Sequence, residues 1–233
     1  MNPVNHNTLY VVKCKRIQKR RCSLTELKEK IIETSLTLFD QHGFHGVSVN
    51  EIVKACGTSK GGFYHHFSSK DELLFVIHDY FISYVLTKAQ EAISESTHPT
   101  EKMQKIIQSF VKVFDLYKPH ISVFYQESIY LKPPYVEAIK NKRQMYKEII
   151  FSVIKEGIDK GVFRSELPVE ITGMSILGMV NWSYKWYKRD GGKTIDEIGD
   201  IYVDLILNAL LIDKQKEAEI TQPFLLKNQV VVD

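Results

Sequence analysis

Apolar residues recur three and four positions apart along almost the whole 233-residue chain. Period-two alternation is missing, the short run Val230 to Val232 near the tail being the one place to look for it. That spacing puts one apolar stripe on each helix and leaves no face for a half-buried sheet, so the chain must fold as an all-α protein. Punctuation divides it into about nine helices. They span 24–41, 49–56, 59–67, 70–94, 100–116, 119–130, 134–160, 169–188 and 195–212. His42-Gly43, Gly57, Ser96 to Pro99, Pro133-Pro134, Gly161 and Asp190 to Gly192 separate them. Ser48 with Glu51, Ser69 with Glu72 and Thr194 with Glu197 have capping-box spacing, each opening a helix. Pro134 and Pro168 suit first turns, where a missing N–H costs nothing.

With 44% hydrophobic and 25% charged residues the chain can bury a core, and a net charge of +3 names no partner by itself. Its distribution says more. Residues 1–22 hold Lys13, Lys15, Arg16, Lys19, Arg20 and Arg21 with no acid, which reads either as an arm meeting nucleic acid or as a solvated tail. Cys14, Cys22 and Cys56 are odd in number and lack metal or redox spacing, which argues against a disulfide framework and fits a reducing cytoplasm. No apolar h-region follows the basic cluster, as a signal peptide would require. The longest uncharged run, Ile171 to Tyr184, is short of the about 20 residues of a membrane span. No nucleophile–base constellation, phosphate loop or metal cluster is legible, so the expectation is a non-enzyme without cofactor.

The stretch CGTSKGGFYHHFSSKDEL, Cys56 to Leu73, carries the chemistry. A helix over 59–67 puts Phe63 and Phe67 on one side and Lys60, Gly61, Tyr64 and His65 largely on the other. One side docks; the other is small, polar and rich in donors. Glycine there costs about 1 kcal/mol of helix propensity but removes the Cβ between backbone and a groove. Adjacent His65 and His66 point about 100° apart on a helix, which disfavours a metal half-site.

The block 28–75 resembles the DNA-binding domain of the TetR family of regulators. The resemblance rests on Leu38-Phe39, His42-Gly43-Phe44, Val47-Ser48-Val49, Cys56 to Gly61, Phe63 to Phe67 and Ser69 to Leu74. It implies that Ser48, Lys60, Gly61, Tyr64, His65 and Lys70 lie near DNA; Ser59 and Gly62 complete the candidate DNA-binding set. Gly62 departs from the family, where threonine, alanine or serine is common, and this leaves the base contacts open. The resulting division is a basic arm (1–22), a helix-turn-helix domain (23–75), an effector-binding and dimerisation domain (76–212) and a tail (213–233).

In the larger domain, Gly173 to Tyr187 is apolar nearly all round, the mark of a helix buried on every side. Ser175, Met179, Trp182 and Trp186 share one flank, and Ile198, Tyr202, Leu205, Ala209 and Ile212 form a stripe on the last helix. The resemblance implies a homodimer through these two helices. Asn181 to Tyr187 resembles a TetR subgroup responsive to fatty-acyl-CoA. On that footing Phe114, Tyr117, Tyr125, Arg143, Tyr146, Asn181, Trp182 and Trp186 are the candidate effector residues. The expectation is a cytoplasmic repressor bound as a dimer to a palindromic operator and released by a small molecule. A drug-like effector of an efflux system, or control by a protein partner, stands as the alternative.

Overall fold

The computed structural model describes residues 6–213, with side chains from Glu26 onward. Among these the order is α1 (His6–Gly46), α2 (Val49–Cys56), α3 (Lys60–His66), α4 (Lys70–Glu95), α5 (Pro99–Leu116) and α6 (Lys118–Glu127). A 3-10 turn (Ser128–Tyr130) follows, then α7 (Tyr135–Asp159), α8 (Val169–Asn181), α9 (Ser183–Trp186) and α10 (Ile195–Leu210). The fold is all-helical; one isolated antiparallel bridge, Phe163 to Leu211, ties the end of α10 to the turn after α7. The run at Val230 and the tail lie outside the described residues.

Local chemistry explains most boundaries. Ser48 makes both halves of its capping box with Glu51, and Thr194 does so with Glu197. At α4 the box is shared: the Ser69 hydroxyl accepts from Glu72 N–H, while the Glu72 carboxylate is bonded by Ser68 N–H and hydroxyl. Gly57 closes α2 at φ 69°, a left-handed value that costs glycine least. Gly43, at φ 70°, kinks α1 where the sequence ends its first helix. The backbone of α1 extends back to His6, so the basic segment expected as an arm is helical from that residue on.

Other expectations are revised. The single helix expected over 169–188 breaks after Asn181. At the break Tyr184 stacks on Tyr125 at 4.0 Å, and the buried Ser183 hydroxyl meets the Tyr202 hydroxyl at 3.0 Å. Pro134 stands at the N-cap of α7 rather than within it, after a cis bond to Pro133. Nor is α8 buried all round: Ile171, Met174, Met179 and Trp182 are exposed. The stripe on α10 divides, Ile198 and Tyr202 facing the core and Leu205 facing out.

Two cores meet along α4. Phe39, Ile52, Phe63, Phe67, Leu74 and Ile77 belong to the first, with Val123 of α6 among them. Phe81, Val85, Phe110, Phe114, Ile154 and Leu207 belong to the second. Both α4 and α6 therefore contribute to each region.

Candidate functional site

At seven residues, α3 is too short to be stable alone. Phe63 and Phe67 are fully buried and hold it in place, burial of such a side chain being worth about 1.5–3 kcal/mol. On the opposite side Lys60, Gly61, Tyr64 and His65 are exposed, Tyr64 at 53%. Ser59 caps the helix, its hydroxyl accepting from Gly62 N–H at 3.1 Å. Ser48 is exposed at the start of α2, its hydroxyl donating to Glu51 at 2.7 Å; that bonding holds the Glu51 carboxyl below the usual range.

The two glycines differ. A Cβ on Gly61 would meet only the Ser59 hydroxyl, at 3.6 Å, so nothing within the chain demands glycine there. A Cβ on Gly62 would come within 2.5 Å of the Thr58 hydroxyl and 3.6 Å of Leu27 on α1. A side chain at Gly62 would thus displace the Thr58 hydroxyl, while one at Gly61 would meet no such obstacle within the chain. His66, half-buried against Phe67, has its pKa lowered chiefly by burial.

Lys70, also in the candidate set, is engaged within the protein. Its ammonium donates to the carbonyls of Phe44 at 2.7 Å and Val47 at 2.6 Å and lies 4.3 Å from the centre of the Phe44 ring. Burial lowers its pKa. Two of its three donors are spent fastening α4 to the α1–α2 connection, so it positions the helix-turn-helix from within. Tyr130 reaches the same connection from the other side, its ring 4.2 Å from His45 and 6.2 Å from Phe44. Lys132 pairs with Asp71 at 2.9 Å, and Ser122 donates to Asp40 at 2.6 Å.

In the second region a cavity of about 650 Å³ opens between α4, α5, α6, α7 and α8. Its floor is apolar: Phe81, Ile82, Val85, Phe110, Phe124 and Leu177. Its mouth, on α7, carries Lys140, Arg143 and Lys147, and no Asp or Glu lines it. The Arg143 guanidinium sits 4.4 Å from the centre of the Phe124 ring, its pKa lowered by partial burial. Tyr125 donates to Asn181 Oδ1 at 2.8 Å, and burial pushes its hydroxyl up to about 12. The Tyr146 hydroxyl is fully buried with no hydrogen-bond partner.

Four of the eight effector candidates, Tyr125, Arg143, Tyr146 and Asn181, line this cavity. The other four do not. Phe114 packs in the core, and Tyr117 lies against Tyr84 in a separate groove. Trp182 and Trp186 are exposed, at 62% and 46%. The wall from α4 went unread because Phe81, Ile82 and Val85 have ordinary core spacing; their separation from α8 is tertiary.

Comparison with known proteins agrees with this geometry. Residues 31–77 match the model "Bacterial regulatory proteins, tetR family", and residues 96–210 match "Tetracyclin repressor-like, C-terminal domain". The HTH-type transcriptional repressor KstR2 of Mycobacterium tuberculosis is 21% identical over 182 residues, 78% of this chain and 91% of its own. The solved structure of PfmR, a TetR family regulator of Thermus thermophilus, is 29% identical, with a TM-score of 0.71 over 76% of this chain and 97% of that one. AibR, solved with isovaleryl coenzyme A and operator DNA, is 25% identical, with a TM-score of 0.67 over 77% of this chain and 97% of that one. With both halves matched and the helix-turn-helix in place, this chain belongs to the TetR family of bacterial transcriptional regulators.

Proposed function

We propose that the protein is a ligand-responsive repressor that binds a palindromic operator as a homodimer and lets go when an acyl-CoA enters the cavity. The observation that carries the DNA half is the α3 face: exposed donors at Lys60, Tyr64 and His65 around a Gly61 that no neighbour constrains. Lys60, Tyr64 and His65 contact phosphates and base edges, and the capping residues Ser48 and Ser59 lie at helix N-termini that favour phosphate. Gly61 lets the backbone approach, and the bare Cα of Gly62 leaves room for the Thr58 hydroxyl. KstR2 is named a repressor and AibR was solved on operator DNA, which supports the same reading here.

Dimerisation is supported by the face that a single chain leaves open. Ile171, Met179, Trp182, Trp186 and Leu205, on α8 to α10, are 41–66% exposed. Such exposure marks an interaction surface. In this reading Trp182 and Trp186 meet a second subunit, and two α3 helices read two half-sites. The protein acts where the chromosome is, in the cytoplasm.

For the effector, an apolar floor beneath a cationic, acid-free mouth suits a chain with an anionic head, and disfavours a cationic drug. The volume lies within the about 300–1,000 Å³ of small-molecule sites. The acyl group fills the floor, and the CoA phosphates meet Arg143 and Lys147. AibR was solved with a CoA thioester, which supports this class. Coupling runs through α4 and α6, whose residues Phe81 and Phe124 line the cavity while Leu74 and Val123 sit in the first core. A tenfold release needs about 1.4 kcal/mol of coupling. Operator footprinting with acyl-CoA titration is the test: the expected result is a two-fold footprint that an acyl-CoA removes. A single half-site held by a monomer, or a complex that no acyl-CoA alters, overturns it.

A further inference from the structure

A second cavity shares one wall with the first. It holds about 270 Å³, and Phe114, Ile121, Tyr184 and Tyr187 give it its apolar lining. Lys118 and Lys185 also border it, their ammoniums 6.0 and 4.9 Å from the centres of the Tyr187 and Tyr184 rings. Tyr125 is the one residue that lines both this cavity and the larger one. Its ring stacks on Tyr184 with 4.0 Å between centroids and 13° between planes, and its hydroxyl donates to Asn181 at 2.8 Å. Asn181 lines the first cavity and Tyr184 the second, so the ring is held from each side. Interior side chains are ordinarily close-packed all round. This one is half-buried and borders two voids.

We infer that Tyr125 is the partition that sets how long an apolar chain the effector carries: the first cavity takes the chain, and the ring closes off the second. This rests on the reading of the first cavity as the effector site, and adds what limits its occupant. Cations on α7 accept an anionic head whatever its tail, and Phe81, Ile82, Val85 and Leu177 accept any apolar group. Neither sets an upper bound on length. A wall does, since each methylene buried before it adds affinity and the first one beyond it finds no space. The bond to Asn181 and the stack on Tyr184 keep that wall from swinging aside. A CoA thioester and a free fatty acid carry the same chain, and the experiment separates them.

Calorimetry on the full chain measures binding of saturated acyl-CoAs from butyryl- to stearoyl-CoA, and of the matching free acids. Wild-type affinity should rise roughly fourfold per methylene up to a limiting length and fall beyond it. In Tyr125→Ala the limit should move to a longer chain, and the first chain past the wild-type limit should bind about tenfold more tightly than it binds the wild type. Tyr125→Phe keeps the ring and should keep the limit. Gln126→Trp fills the second cavity from an exposed position on α6. Added to Tyr125→Ala it should bring the limit back, which separates two joined cavities from the room left by the lost ring alone. A wild type without a limit, a limit unmoved in Tyr125→Ala, or one that Gln126→Trp does not restore overturns the inference and leaves the acyl-CoA reading standing. If only the free acids bind and show the same shifts, the CoA reading falls and the partition stands. If neither series binds, both fall. Tyr125→Leu provides the same comparison should the alanine variant fold poorly.

Discussion

The face of α3 and the cavity among α4 to α8 both carry donor-bearing side chains, in opposite ways. On α3 the donors are exposed and the helix carrying them is held by two phenylalanines behind. In the cavity apolar side chains dominate the lining, and the cations stand only at the rim. The exposed face suits a large, polyanionic surface met in water, where each contact is modest and salt-screened. The enclosed cavity suits a small ligand, where one lost hydrogen bond in a dry site counts heavily. The difference sets two distinct tests: added bulk on the open face of α3, and a changed interior elsewhere.

The largest expected effect tests that statement on α3. Gly61→Leu should fold at least as stably as wild type, since glycine is about 0.8–1.0 kcal/mol worse than alanine in a helix, leucine ranks next to alanine, and the new Cβ meets only the Ser59 hydroxyl at 3.6 Å. Operator affinity should nevertheless fall roughly a hundredfold, about 2.7 kcal/mol. Gel-shift titration beside urea unfolding checks both halves; normal binding by this variant would break the account of the glycine.

Burial also decides how the interior meets acid. His78 on α4 is fully buried between the two cores, against Phe124. Its Nδ1 is 2.8 Å from the Leu74 carbonyl, which can only accept, so Nδ1 carries the proton. Burial, with Arg143 nearby adding repulsion, brings its pKa from 6.5 down to about 4. Between those values the unfolded chain holds the extra proton. The stability is therefore complete above about pH 6.5 and is lost as pH falls towards 4, by on the order of 2 kcal/mol at pH 5. Urea unfolding at pH 7 and pH 5 should show this drop, and His78→Leu should shrink it by that amount.

A smaller effect separates positioning from contact. Lys70→Met removes the ammonium from the carbonyls of Phe44, which keeps the Val47 N–H, and of Val47, a cost of about 1–2 kcal/mol in unfolding free energy. Because Lys70 is engaged internally, the salt dependence of operator binding should keep its slope. A slope reduced by about 0.9 would assign Lys70 to a phosphate and return it to the reading face.

The helix-turn-helix was legible because its instructions are local. Ser48 and Glu51, Gly57, and Ser59 with Gly62 act within four residues of one another, and a helix cap or a left-handed turn needs nothing more. The all-helical class followed from the period of apolar residues in the same way. What the sequence left open depends on which helices become neighbours. The spacing of Phe81, Ile82 and Val85 is that of any core stripe; only packing set them across a void from Leu177 and Asn181. Phe114, Tyr117, Trp182 and Trp186 are aromatic in the same degree as Tyr125 and Tyr146, yet packing excluded them from that void. Lys70 looked like a surface cation until α4 was laid beside the end of α1, where two carbonyls took its donors. Sequence alone therefore determined the helical class, most helix ends with their caps, and the polar side of α3, since those arise from neighbours along the chain. Tertiary structure decided the cavity and the engagement of Lys70, because each exists only where residues far apart in the chain are brought together by the way the helices pack.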